Sequence, residues 1–366
     1  MLDIRNVYHL QQQTPLIHFQ HDEPGACLRA SEVKPKLDRF LLEQLGQGDR
    51  DEGQRIAKSR GWLIGDHPAL DYKMRFEAVK PEEREPQEPK PRGLFFGNVG
   101  KSEAESYMAV LYGSGIDMTI ICFHDDLKQT IESHLHAFFL IHNFGTRQSK
   151  GFGSFVVTAK DKQLFLCKDV QAELLKHSKI YGYDLYAVKR SGGLNAVLEL
   201  YQRLKSGRPG CAPYIHTKIE KHEKDWMRAQ GFFSQVRVTP LRKEESEKYH
   251  FYKAMLGLRD AIDYPQLKQT IKIEHAEKDK DGKPIIQRAK SPITFKIVDS
   301  GRFFLLVHEA PDALFGQVFR FYDTENPSKK YRITTPTEDA FSVKILVRDF
   351  MQQEYPNSEV KEVLTP

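Results

Sequence analysis

The sequence predicts an α+β fold in two halves, a βαββαβ run followed by a less regular α+β run with many insertions, over 366 residues. Three observations predict it. Two apolar stripes at helical spacing, one through Val33, Leu37 and Phe40 and one through Leu127, Ile131, Leu135 and Phe138, lie among alternating strand-like segments. A glycine-rich segment, Phe144–Ser154, follows the second stripe. Strand-like and helical segments then recur after residue 166. This element order is the ferredoxin-like arrangement, in which helices cover one sheet face and the other can carry RNA, as in RNA-recognition modules. The expected domains are 1–166, with the glycine-rich loop, and 167–366.

Tyr8–Phe19 reads as a strand that Thr14-Pro15 interrupts, since proline cannot donate to a ladder. Val33, Leu37, Phe40, Leu41 and Leu45 define a helix. Pro35 places its start near Ser31–Lys34, with Ser31 as N-cap. Gly46–Gly53 reads as a loop and Asp71–Val79 as a strand. Lys80–Gly93, rich in proline and charge, reads as a mobile insertion. Tyr107–Tyr112 and Ile116–Phe123 read as a hairpin around Gly113-Ser114-Gly115, and Asp125 as the cap of the second helix.

In the second half, Asp169–His177 reads as helix, Asp184–Val188 as strand, and Leu194–Leu204 as a helix opened by Ser191 or Gly192. Tyr249–Leu258 reads as helix, and Ile271–Ile273, Ile293–Val298 and Phe303–Val307 as strands, the last two joined through Asp299-Ser300-Gly301. Thr337 is the expected cap of a final helix carrying Val343, Leu346, Val347 and Phe350.

Lys and Arg total 55 against 50 Asp and Glu, a net charge of +5. That excess permits nucleic-acid binding without requiring it, so local clustering decides. Cys27, Cys122, Cys167 and Cys211 are isolated, which excludes a CxxC zinc or redox motif and suits a reduced compartment. Met1–Arg5 lacks an apolar signal core, and no apolar run approaches the roughly twenty residues a membrane span needs. A cytoplasmic protein with no membrane contact is the expectation.

Two cation clusters stand out. Arg29, Lys34 and Lys36 gather at the first helix start, where free N–H groups and the helix dipole favour an anion. Arg147, Ser149, Lys150, Gly151 and Gly153 lie in the glycine-rich loop, whose N–H groups would reach phosphate oxygens. A solvated basic face and a plain helix-to-strand turn would look the same. Phe152, between two glycines, suits the core better than a base stack.

Histidine chemistry is weaker. His134 and His136 point to different sides of one helix, and there is no HExxH. His142 reads as half-buried, and His216, His222 and Glu223 lack zinc spacing. No metal or cofactor is expected.

Three segments in order resemble the RAMP superfamily. Thr14-Pro15-Leu16-Ile17 with Leu28–Arg39 is similar to its N-terminal strand and the helix start that meets RNA. Arg147–Ser154 is similar to its glycine-rich loop. Arg288–Lys296 resembles a strand of the first subunit of the type III-B CRISPR effector, the Cmr complex. Where the family carries Lys-Gly, this chain has Lys34-Pro35.

The resemblance implies RNA binding without catalysis: contact with the 3′ part of guide RNA or of its duplex with target RNA, and capping of a filament of other Cmr subunits. It implies one wall from Arg29, Ser31, Lys34, Lys36 and Arg39, and another from Arg147, Ser149, Lys150, Gly151 and Gly153. Two alternatives remain: a RAMP endoribonuclease, processing guide RNA through a histidine or cleaving target RNA through an aspartate such as Asp49, Asp51 or Asp66, and an assembly protein whose basic loops bind protein.

Overall fold

The computed structural model describes residues 4–17, 27–65, 67–87, 109–207, 210–219, 221–232, 242–264, 269–355 and 360–363. Contacts group the chain into two compact units, Met1–Val197 with Thr294–Leu306 and Glu359–Pro366, and Leu198–Ile293 with Val307–Ser358.

The first unit opens with β1 (Arg5–Gln12) and β2 (Leu16–Ile17). Helices α1 (Ala30–Leu45) and α2 (Arg50–Ser59) follow, then β3 (Tyr72–Ala78), β4 (Arg84–Gln87), β5 (Ala109–Tyr112) and β6 (Ile116–Cys122). Helix α3 (Asp125–Ile141), β7 (Phe155–Lys160) and β8 (Gln163–Leu164) complete the first run. Its main sheet has the order β3-β6-β1-β7-β8, antiparallel throughout. Strands β1, β3, β6 and β7 with α1 and α3 therefore give the expected ferredoxin-like order.

Helix α4 (Val170–Tyr181) leads to β9 (Asp184–Lys189) and α5 (Gly193–Tyr201). Strands β12 (Ile293–Asp299) and β13 (Arg302–Val307), helix α7 (Val343–Glu354) and β16 (Val360–Val363) come much later. The sheet order β12-β13-β9-β16 matches β3-β6-β1-β7 position for position. The βαββαβ order thus occurs twice, and long insertions interrupt the second occurrence.

The second unit contains α6 (Glu223–Ala229) and a sheet of β10 (Ala261–Tyr264), β11 (Gln269–His275), β14 (Val318–Asp323) and β15 (Asn326–Thr334), in the order β10-β11-β14-β15. Trp226 and Phe251 pack edge-on against Phe321, with centroids 5.5 and 5.0 Å away.

Several elements differ from the sequence expectation, each for a local reason. Thr14-Pro15 ends β1 and moves the chain to a second sheet, where β5 lies between β2 and β4. The segments around Gly113 are therefore not a hairpin: β5 pairs with β2 and β4, and β6 with β1 and β3. The described part of the expected insertion, Lys80–Gln87, forms a turn and β4; residues 88–93 and the turn at 21–26 lie outside the described residues. Gly46–Gly53 is not all loop. Asp49 caps α2 by accepting the N–H groups of Asp51 and Glu52, at 2.9 and 3.1 Å. Gly53 is needed there because a Cβ would overlap the Leu42 carbonyl of α1.

Helix α1 starts at Ala30 with Arg29 as an extended N-cap that makes no side-chain cap bond, so Ser31 is not the cap and Pro35 lies inside the helix. His124, not Asp125, occupies the N-cap of α3. Ser342, not Thr337, caps α7 through the Ile345 N–H at 3.2 Å. Tyr249–Leu258 contains one short helix, Tyr252–Met255.

The core of the first run centres on Phe40, whose ring lies 5.6 Å from Phe138 and 6.1 Å from Tyr181. His134, His142 and His177 surround it at 6.3, 5.9 and 5.8 Å. His136 leans on Phe165 at 4.4 Å, away from that cluster. Burial pushes His134, His136 and His177 below the ordinary histidine value; Glu173 opposes the shift at each.

Histidines held below their unfolded value stay neutral in the fold and take up protons on unfolding. Their stability contribution is complete above about pH 6.5 and falls as pH drops below it. Urea denaturation followed by circular dichroism should give a lower midpoint at about pH 5.5 than at about pH 7.5. An equal or higher midpoint at the lower pH contradicts this placement.

Candidate nucleic-acid interface

The open face of the first sheet is the first place to look for RNA contacts. The aromatic residues of β1, β3 and β7 are Tyr8, Tyr72, Phe76 and Phe155, and all pack into the core. The opposite face carries residues such as Val7, His9, Thr119, Lys73 and Arg75. No Phe, Tyr or Trp among the described residues of these strands is on that face. The base-stacking platform of RNA-recognition modules is absent there.

The glycine-rich loop leaves α3 and enters β7. Phe144 donates its N–H to Gly153 O at 2.9 Å, closing the neck. Gly145 N–H donates to Glu32 Oε1 at 2.9 Å, and Thr146 N–H to Ile17 O at 2.9 Å. Gly151 N–H donates to Gln148 O at 3.1 Å, and Gly153 N–H to Pro15 O at 2.9 Å. Ser154 N–H donates to Thr14 Oγ1, whose hydroxyl donates to Gly151 O. The expectation that glycine N–H groups reach phosphate is therefore corrected: those of Gly145, Gly151 and Gly153 are committed within the chain. Gly153, at φ 65°, serves close packing, since a Cβ would overlap the Phe144 carbonyl. Phe152 is 4% exposed and belongs to the interior.

The loop and α1 are bonded directly. Lys36 Nζ reaches Glu32 Oε1 at 3.1 Å, Gln148 Oε1 at 3.3 Å and Asn143 O at 3.4 Å, and lies over the Phe144 ring. Gln148 Nε2 reaches Glu32 Oε1 at 3.4 Å and Gly145 O at 2.6 Å. Positions 29, 32, 36 and 39 are three or four apart and line one side of α1. Arg29 and Arg39 therefore flank the Glu32–Lys36 contact with the loop. Arg29, Ser31 and Arg39 are exposed, and Arg39 pairs with Glu43 at 2.7 Å. Arg147, Ser149 and Lys150 are half-buried, Arg147 in a left-handed conformation at φ 57°.

Lys34 departs from this surface. Its ammonium binds Asp38 Oδ2 at 2.8 Å and Leu70 O at 2.9 Å, and lies 4.3 Å from the Tyr72 ring centroid. Burial raises the Asp38 carboxyl, and Lys34 pulls it the other way. Lys34 thus joins α1 to the start of β3.

Residues the sequence did not single out hold the loop from behind. Lys296 is 0% exposed and donates to His142 O, Asn143 Oδ1 and Phe155 O at 3.0, 3.2 and 3.2 Å. Burial holds its ammonium well below the usual lysine value. Only the motif containing Lys296 hinted at it; a lysine in a strand ordinarily reads as exposed.

Asp49 is occupied as a helix cap, Asp51 is exposed in the first turn of α2, and Asp66 lies outside the described residues. His142 Nδ1 lies 3.0 Å from Phe138 O. His216 and His222 stack at 4.2 Å, and burial pushes His216 down to about 3. Among the described residues, no three His, Cys, Asp or Glu side chains are placed to hold a metal ion. No described helix is long and apolar enough to cross a membrane.

A ferredoxin-like sheet, a second sheet of matching strand order and a glycine-rich loop bonded to the first helix fit the RAMP resemblance drawn from the sequence. The family models are more specific. The chain belongs to the Cmr1 family: the Cmr1 N-terminal domain matches residues 4–208 and the Cmr1 C-terminal domain residues 211–364. The apo crystal structure of Cmr1 from Pyrococcus furiosus aligns with 84% of this chain and 90% of its own, at 13% identity and a TM-score of 0.40. A chain from the type III-B Cmr-beta complex bound to cognate target RNA aligns with 43% of this chain and 59% of its own, at 11% identity and a TM-score of 0.30. No curated protein matches the chain.

Gly153→Ala should cost about 2–5 kcal/mol by urea denaturation, combining left-handed backbone strain with overlap. Gly182→Ala, at φ 62° with open space around the new methyl, should cost only about 1–2 kcal/mol. Equal costs would contradict the close packing at Gly153.

Proposed function

We propose that this chain is a non-catalytic RNA-binding subunit of a type III-B CRISPR effector. It acts in the cytoplasm with guide RNA, target RNA and other Cmr subunits. It contacts the 3′ region of the guide or of the guide–target duplex and caps the filament. The observation that carries the RNA reading is the bonding of the loop to α1, which sets Arg29 and Arg39 beside the segment that bears Arg147 and Lys150. Family membership supports the assembly.

The roles follow from chemistry. Arg29, Arg39, Arg147 and Lys150 neutralise phosphates and release counterions. Ser31 and Ser149 offer hydroxyls to phosphate or ribose. Lys36 holds the two walls together, and Gly151 and Gly153 shape the loop. Recognition of this kind reads backbone more than sequence, because among the described residues of the sheet no stacking ring faces outward.

Arg147→Glu combined with Lys150→Glu should lower RNA affinity by about tenfold or more. Log affinity should also fall less steeply with log salt, by about two phosphate contacts. Filter binding across a salt series reads both; unchanged affinity removes the loop from the interface. The purified protein should leave guide and target RNA intact with and without magnesium. Metal-dependent cutting abolished by an Asp or His substitution overturns the non-catalytic reading.

A further inference from the structure

We propose that Lys296 is a positioning residue for the glycine-rich loop: from the second βαββαβ run it joins the loop's entry to its exit and so fixes how Arg147 and Lys150 are presented. The inference rests on the RNA reading for its functional consequence, but not for its structural content.

The three N–H bonds of the Lys296 ammonium go to three neutral oxygens. His142 O and Asn143 Oδ1 belong to the residues entering the loop, and Phe155 O to the residue leaving it. Asn143, 2% exposed, passes the constraint on. Its Nδ2 donates to Phe295 O at 2.8 Å and to Gln148 O at 2.7 Å, inside the loop. Gln148 then meets Lys36 and Glu32 on α1. Next to Lys296, Ile297 adds support: its O accepts the Ser154 hydroxyl at 2.6 Å, and a Cβ at Gly151 would press on its side chain.

A methionine would occupy similar space without the large cost of desolvating an ammonium. What lysine adds is direction: three donors fixed on oxygens at both ends of one loop. His142 is the C-cap of α3, where final carbonyls lack helical donors and the dipole favours a cation. Lys296 is too deeply buried to meet a phosphate, so any effect on RNA binding is indirect.

The test compares the parent with Lys296→Met in the full chain; Asn143→Ala cuts the next link should Lys296→Met fail to fold. Limited trypsin digestion with peptide mass spectrometry reads cleavage after Arg147 and Lys150, relative to other sites, without RNA. The expected result is an increase of about tenfold at these two sites while other sites change little. RNA affinity should fall by about tenfold in the parent background and hardly at all when Arg147→Ala and Lys150→Ala are already present. Unchanged relative cleavage in a folded Lys296→Met protein, or in Asn143→Ala where that is the folded variant, overturns the proposal. So does an RNA defect that simply adds to the loop variants. Faster cleavage at the loop in a protein whose parent binds no RNA upholds the positioning role and overturns the RNA reading alone.

Discussion

One carboxylate joins the two surfaces on which the account depends. Glu32 sits in the first turn of a helix otherwise rich in cations, accepts the Gly145 N–H and lies within reach of Lys36 and Gln148. Unpaired, its charge would repel a phosphate. Bound to the loop and to Lys36, it serves as a fastener. Because the pair is half-buried, its attraction is less screened than that of a surface ion pair.

This arrangement changes what the glycines do. A glycine-rich loop can bind an anion with its own N–H groups. Here Gly145, Gly151 and Gly153 donate within the chain, and the lack of a side chain lets strands and carbonyls approach closely. The loop is therefore tied down within the chain, and in the proposed interface recognition falls to the side chains of Arg147, Ser149 and Lys150. A loop fixed before binding loses less entropy when RNA arrives. Its supports come from Thr14 and Pro15 after β1, Glu32 on α1 and the middle of β12.

Much of the fold was legible because periodicity reports burial. Val33, Leu37 and Phe40 marked the buried face of α1, and Leu127 to Phe138 that of α3. Thr14-Pro15 marked a break that the fold uses to change sheets. What was illegible depended on partners distant in sequence. Gly53 looked like a loop residue because nothing nearby announces that a helix crosses Leu42. Lys34 and Lys36 resembled Arg29 and Arg39 in a basic stretch, yet Lys34 turns to Asp38 and Lys36 to the loop. Lys296 could be quoted as a motif letter, but not recognised as fully buried until β12 was seen behind the loop.

Photo-crosslinking of the chain to one guide–target duplex, with the attached peptides identified by mass spectrometry, probes both surfaces at once. The account predicts crosslinks within 29–39 and within 144–154 on the same RNA. Crosslinks that map only to other parts of the chain would contradict it.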